Sequence, residues 1–158
     1  MKSRILYLTL PLYIADQTSK LAVLRSISPE DLVPVIPGFF NLVNVANTGA
    51  AFGMLKGAST FFALLSVVAI VVISVLIRRG AFSDGLSRTA AALLLAGVLG
   101  NLTDRLLHGH VVDFLDFILP WYGRWPAFNV ADSCICIAAG LFLIAAFKEG
   151  HRTAGETA

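Results

Sequence analysis

The chain has 158 residues, of which 57% are hydrophobic and only 14% charged, with a formal net charge of +2. A soluble domain carries roughly 25% charged residues, so a soluble globule and a disordered chain are both poor readings, and so small a net charge does not suggest a nucleic-acid binder. Cys134 and Cys136 stand inside an apolar run with one residue between them, which excludes a disulfide framework and leaves them as packing residues.

A membrane protein of one domain, residues 1–158, remains. A hydrocarbon core about 30 Å thick takes roughly 20 apolar helical residues to cross, and four segments approach that length. The first, 5–24, is interrupted by Asp16 and Lys20. Lys2 and Arg4 ahead of it imitate the start of a signal peptide. No A-x-A-like site follows, so a retained helix is expected. Residues 25–56 carry Pro34, Pro37, Gly38, Gly49 and Gly53 around the β-favouring run Phe39–Val45, a pattern of short strands resting on the bilayer surface. The second span, 57–77, has no charge. The third, 89–107, is clean until Asp104 and Arg105. Residues 108–127 hold Trp121, Tyr122 and Trp125 between Pro120 and Pro126, side chains that favour the headgroup boundary. The fourth span, 128–147, has Asp132 near its start, and the polar tail from Glu149 to Ala158 is expected to be mobile.

The basic residues orient these spans. Lys2, Arg4, Arg78, Arg79, Arg88, Lys148 and Arg152 fall on one side, against Lys20, Arg25, Lys56, Arg105 and Arg124 on the other. Seven against five puts both termini in the cytoplasm, and Asp16, Asp104, Asp113 and Asp132 then fall toward the outer face.

A charge at a helix centre costs about 2.5–3.5 kcal/mol on insertion scales, so each of these residues needs a partner, water or a function. Asp16 and Lys20, four apart, share a helix face and pair in the favoured order. Asn101 lies three residues before Asp104 and four before Arg105, so it can face either; the set is either a structural network or a substrate site. Asn101-Leu102-Thr103 matches a glycosylation sequon by accident of position within an apolar span. Asn47-Thr48-Gly49-Ala50-Ala51-Phe52-Gly53 places small residues after an amide that can bond an extended peptide, or is an ordinary turn. Val111-Val112-Asp113-Phe114 follows the third span, and Phe128-Asn129-Val130-Ala131-Asp132 opens the fourth. Antiparallel spans joined on the outer side bring these two carboxylates together. Two such acids share a proton and can activate water. Against this, Asp132 is also placed to cap a helix, and Asp116 is as available by sequence as Asp113. His108 and His110 beside Asp104 and Asp113 lack a zinc signature, so no metal and no cofactor is expected.

Taken together, Asp16-Gln17-Thr18-Ser19-Lys20, Asn47 to Phe52, Gly100-Asn101-Leu102-Thr103-Asp104-Arg105, Val111 to Phe114 and Phe128 to Asp132 resemble the ordered motifs of the bacterial lipoprotein signal peptidases (type II signal peptidases). The resemblance implies an all-α membrane protein: a four-helix transmembrane bundle with a small extracytoplasmic β-cradle and a short interfacial helix. It implies an aspartic endopeptidase of the cytoplasmic (inner) membrane, its site toward the outer face. The substrate would be a diacylglyceryl-modified prolipoprotein, cut before the lipidated cysteine. The catalytic positions match Asp113 and Asp132, which selects Asp113 over Asp116. Asn47, Gly49, Asn101, Arg105 and Asn129 match positions that hold substrate or brace the pair. Asp16, Lys20 and Asp104 match polar support. Globomycin-type cyclic peptides are the inhibitors so implied, and a monomer is expected. Two other classes fit the residues alone. An ion-coupled transporter would need acids near the midplane in repeated broken helices, whereas these acids cluster at one end; a non-catalytic scaffold would only pair them.

Overall fold

A computed structural model of the chain describes residues 2–49, 55 and 57–156, with side chains described for those between 5 and 149. Four helices alternate with an antiparallel sheet: α1 (Lys2–Ser26), β1 (Leu32–Ile36), β2 (Phe40–Asn47), α2 (Ser59–Arg79), α3 (Gly85–His108), β3 (Val111–Leu119), β4 (Gly123–Arg124) and α4 (Val130–Glu156). Among the described residues, three helices are long and apolar enough to cross a membrane, over Ser59–Arg79, Gly85–His108 and Val130–Glu149.

Capping residues set the helix ends. Asp84 accepts from the backbone N–H of Leu86 at 2.8 Å and of Ser87 at 3.0 Å, so α3 begins four residues before the expected Thr89. Gly57 takes φ +83°, which delays α2 to Ser59. At its other end Gly80 closes α2 in the left-handed conformation, with the Ala81 N–H bonded to the Leu76 carbonyl at 3.0 Å. The polar tail, expected to be mobile, instead extends α4 to Glu156. No proline interrupts it, and Ala, Lys, Glu and Arg are good helix formers.

Helix α3 is the hub: it packs on α1, α2 and α4, and its faces hold the buried Ala90, Ala91, Ala92, Ala96 and Gly97. Gly97 and Gly100 are required there. A Cβ on Gly97 would run into the Ala131 carbonyl of α4, and one on Gly100 would lie 2.5 Å from Asp16 Oδ2 of α1. Thr9 adds a buried bond to the Ala92 carbonyl at 3.0 Å, and Tyr13 meets the Thr103 hydroxyl at 3.1 Å. By contrast α2 touches chiefly α3 and leaves Leu64, Leu65, Val68 and Val71 exposed, the surface of a helix facing lipid.

The sheet runs β1-β2-β3-β4 at one end of the bundle. The strand expected around Phe39–Val45 is β2. The connection 108–127, read as an aromatic interfacial loop, instead contributes β3, whose β-branched and aromatic run pairs with β2 from Phe40↔Phe117 to Asn47↔Val111. The N–H groups of Phe114 and Leu115 both bond the Phe128 carbonyl, at 3.0 and 2.8 Å, a bulge that ties the strand carrying Asp113 to the start of α4. Val23, Ile27, Val112 and Phe114 form the core that joins α1 to the sheet. No short helix separate from the four long ones is found among the described residues.

Candidate active site

The polar residues converge where the C-terminal halves of α1 and α3, the N-terminus of α4 and strands β2 and β3 meet. Lys20 is the hub of one layer. Its ammonium lies 2.8 Å from Asp16 Oδ2, 2.9 Å from Asp104 Oδ2 and 3.1 Å from Asn101 Oδ1, which uses all three of its donors. Asp16, Lys20 and Asp104 are each no more than 2% exposed, so the expected Asp16–Lys20 pair is a buried triad. Each acid also satisfies a backbone donor: Asp16 Oδ1 takes the Ala131 N–H at 2.8 Å, in the first turn of α4, and Asp104 Oδ2 takes the Val112 N–H at 3.0 Å, on β3. Gln17 donates to Asp16 Oδ2 and Asp104 Oδ1, both at 3.1 Å. The triad therefore locks α1, α3, α4 and β3 at one point. Gln17 has no evident role in the sequence alone, because its partners on α3, Gly100 and Asp104, lie more than eighty residues away.

The second layer holds the two carboxylates, and Asn129 carries both. Its Nδ2 donates to Asp113 Oδ1 at 2.7 Å, its Oδ1 accepts the Asp132 N–H at 2.8 Å, and its own N–H reaches Asp132 Oδ2 at 3.3 Å. The last two bonds form a capping box, Asn129 at the cap and Asp132 three residues on. The capping reading of Asp132 is thus realised. The Asn-x-x-Asp spacing was the sequence signal for it.

Three asparagines present amide nitrogen to these acids, and an obligate donor fixes each orientation. Lys20 occupies Asn101 Oδ1, so Asn101 Nδ2 faces Asp132 Oδ1 at 2.8 Å. The Asp132 N–H occupies Asn129 Oδ1, which turns Nδ2 to Asp113. The Gly49 N–H occupies Asn47 Oδ1 at 2.9 Å, so Asn47 Nδ2 reaches Asp113 Oδ2 at 2.8 Å. All four carboxylate oxygens therefore accept a bond. These asparagines offer the pair donors only, so a carboxyl proton finds no acceptor among the three. The Asp113 carboxyl is pushed up to about 7, first by burial and then by the charge of Asp132, against bonds from Asn47 and Asn129 that lower it.

Arg105 stands at the rim. Its Nη2 holds the Gly49 carbonyl at 3.2 Å, its Nη1 lies 3.4 Å from the Asn101 carbonyl, and its guanidinium sits 5.4 Å from the Phe62 ring centroid. Its Nε is buried without a hydrogen-bond partner. Residues 50–54, which complete the Asn47–Gly53 motif, lie outside the described residues. Asp116 is also buried but belongs elsewhere: it takes Asn41 Nδ2 at 2.7 Å and Arg124 Nε at 3.2 Å, in the sheet. His108 and His110 face each other with ring centroids 6.0 Å apart. No group of three His, Cys, Asp or Glu side chains is placed to hold a metal among the described residues.

Helices long and apolar enough to cross a membrane thus close at one end around two carboxylates joined through Asn129, the arrangement of a membrane-embedded protein with a polar site. The chain matches the family described as "Signal peptidase (SPase) II" over residues 8–148. It is 44% identical over 154 residues to the lipoprotein signal peptidase of Syntrophotalea carbinolica, covering 94% of each chain. It is 44% identical over 163 residues to that of Neisseria meningitidis serogroup C, covering 96% of each. A bacterial membrane enzyme solved by the in meso method at 2.3 Å superposes with a TM-score of 0.87 and 34% identity, covering 94% of this chain and 90% of that one. The chain belongs to the signal peptidase II family, and is a peptidase of the bacterial inner membrane.

Proposed function

We propose that the chain is an aspartic endopeptidase that removes the signal peptide from diacylglyceryl-modified prolipoproteins, cutting just before the lipidated cysteine. The observation that carries this reading is the suspension of Asp113 and Asp132 on the single residue Asn129, with Asp113 held near neutrality. Of the pair, one carboxylate takes a proton from water. The other, still protonated, donates to the scissile carbonyl. The water oxygen adds to the carbonyl carbon, and the tetrahedral species collapses as a carboxyl proton passes to the leaving cysteine nitrogen. The donors around the pair prevent it from turning its proton into the protein. Asn47, Gly49, Asn101, Arg105 and Asn129 brace the pair or hold the peptide backbone. Asp16, Lys20 and Asp104 hold the elements that carry them. The reaction as written needs no metal or organic cofactor.

In this reading α1 is a fourth span. Its Pro11 is tolerated as prolines in membrane helices are, and its charges are spent on the buried triad. Both termini are cytoplasmic and the sheet end faces outward, so the substrate's acyl chains stay in the outer leaflet while its peptide reaches the dyad. The enzyme acts as a monomer, and globomycin-type cyclic peptides occupy the same site.

The test is incubation of the detergent-solubilised protein with a diacylated prolipoprotein, with and without a chelator. Wild type yields the cut product in both, and Asp113→Asn or Asp132→Asn yields none while keeping its helical circular dichroism. Near-normal turnover by either variant removes the aspartic assignment, and loss of wild-type activity to the chelator replaces it with a metal mechanism.

A further inference from the structure

The hairpin between β3 and β4 has features the reaction does not use. Its turn is Leu119 to Gly123, closed by the Tyr122 N–H on the Leu119 carbonyl at 3.3 Å, with Gly123 at φ +84° completing a turn that a side chain would strain. The tip presents Trp121, 83% exposed, and Tyr122, 55% exposed, with the Trp125 ring 5.2 Å from that of Tyr122. Beside them, buried Asp116 grips Arg124 by Nε, while the Arg124 side chain remains 58% exposed. Asn41 secures the other Asp116 oxygen at 2.7 Å. The cation is therefore aimed, not free to wander, and its terminal amino groups are open to a second acceptor. On the same sheet, β1 exposes Leu32, Val33, Val35 and Ile36.

We propose that this hairpin is a phospholipid headgroup site, with the Arg124 guanidinium on the phosphodiester and Trp121, Tyr122 and Trp125 at the boundary between headgroup and acyl chain. The charge and the aromatic rings favour one occupant: arginine pairs with phosphate in a fork, and amphipathic rings settle at that depth. A soluble anion would use the charge and leave the rings in water. A docked lipid holds the far end of β3 at the membrane surface, and Asp113 lies on the same strand. The placement rests on the outward sheet end proposed above, but the measurement does not depend on cleavage.

Trp121 and Trp125 are the only two tryptophans in the chain, so intrinsic fluorescence reports this hairpin alone. The experiment titrates a short-chain phosphatidylglycerol, whose phosphodiester carries the net charge, into the full-length protein in a maltoside detergent. A saturable blue shift is expected, on the order of fivefold weaker in Arg124→Gln, from the contribution of one basic residue at a lipid surface. Arg25→Gln, which removes an exposed cation from the end of α1, should titrate as wild type. Inorganic phosphate should give no shift. Equal midpoints for wild type and Arg124→Gln overturn the site, as does an equal loss in Arg25→Gln, which would mean diffuse attraction. A matching response to inorganic phosphate overturns the lipid assignment. Unchanged prolipoprotein cleavage by Arg124→Gln in detergent certifies its fold and leaves the peptidase reading standing in every case.

Discussion

Asn129 does more at this site than either acid alone. One side chain and one backbone N–H set both carboxylates, so a small change there displaces both at once. Asn129→Ala should lower kcat about 100-fold, the cost of a modest misplacement of reacting groups, with helical content unchanged. A kcat within threefold of wild type would show that the bridge is dispensable. Lys20 acts one layer back. Lys20→Met leaves Asp16 and Asp104 buried without their cation, a loss of roughly 3–5 kcal/mol for a broken buried pair, read as a lower unfolding midpoint in detergent. These residue-scale contacts were only partly legible in the sequence. The i, i+4 spacing foretold Asp16–Lys20, and the Asn-x-x-Asp spacing of a cap was there to read. That Asp104 joins the triad, or that Asp116 turns to Arg124 rather than to Asp132, depends on strand register and on a bulge, which no local pattern fixes.

At the scale of elements, hydropathy located the helices because a membrane span must be long and apolar. Their ends were misjudged where a cap or a left-handed glycine decides them: Asp84, Gly57 and Asn129. Strand β3 was missed because its apolar run abuts a helix and carries two acids, which obscures the alternation of a surface strand. The close approach of α3 to α1 and α4 rests on Gly97 and Gly100, and it brings Asn101 beside Asp132. Gly100→Ala drives a methyl toward Asp16 and should cost about 1–3 kcal/mol, as overpacking does. The same variant should lose activity more than stability, since the strain falls on the triad. A fully active, equally stable Gly100→Ala would mean the helices part without consequence.

For the whole molecule, the basic residues near the sheet end are largely committed. Lys20 serves the triad, Arg105 the rim and Arg124 the sheet, while Arg78 and Arg79 end α2 at the opposite end. The proposed orientation predicts that, in a cysteine-free background, Ser83→Cys should react with an impermeant maleimide only from the cytoplasmic side, and Trp121→Cys only from outside. The reverse pattern inverts the topology. With the Asp113 carboxyl raised from 3.8 to about 7 by the fold, the stability this group contributes is fully present below 3.8 and is lost progressively as pH rises to about 7. The cleavage rate should fall as pH rises through about 7, as the second carboxylate ionises, and again in acid, when no base remains.

The proposed sharing of a proton by Asp113 and Asp132 is most directly tested by infrared titration of the Asp113 carboxyl in the detergent-solubilised protein, assigned by its loss in Asp113→Asn and repeated in Asp132→Asn. In wild type the band should disappear near pH 7, and in Asp132→Asn at lower pH, because the neighbouring charge is gone while burial remains. An Asp113 that titrates near the ordinary 3.8, or at one pH whether or not Asp132 is charged, would contradict the account.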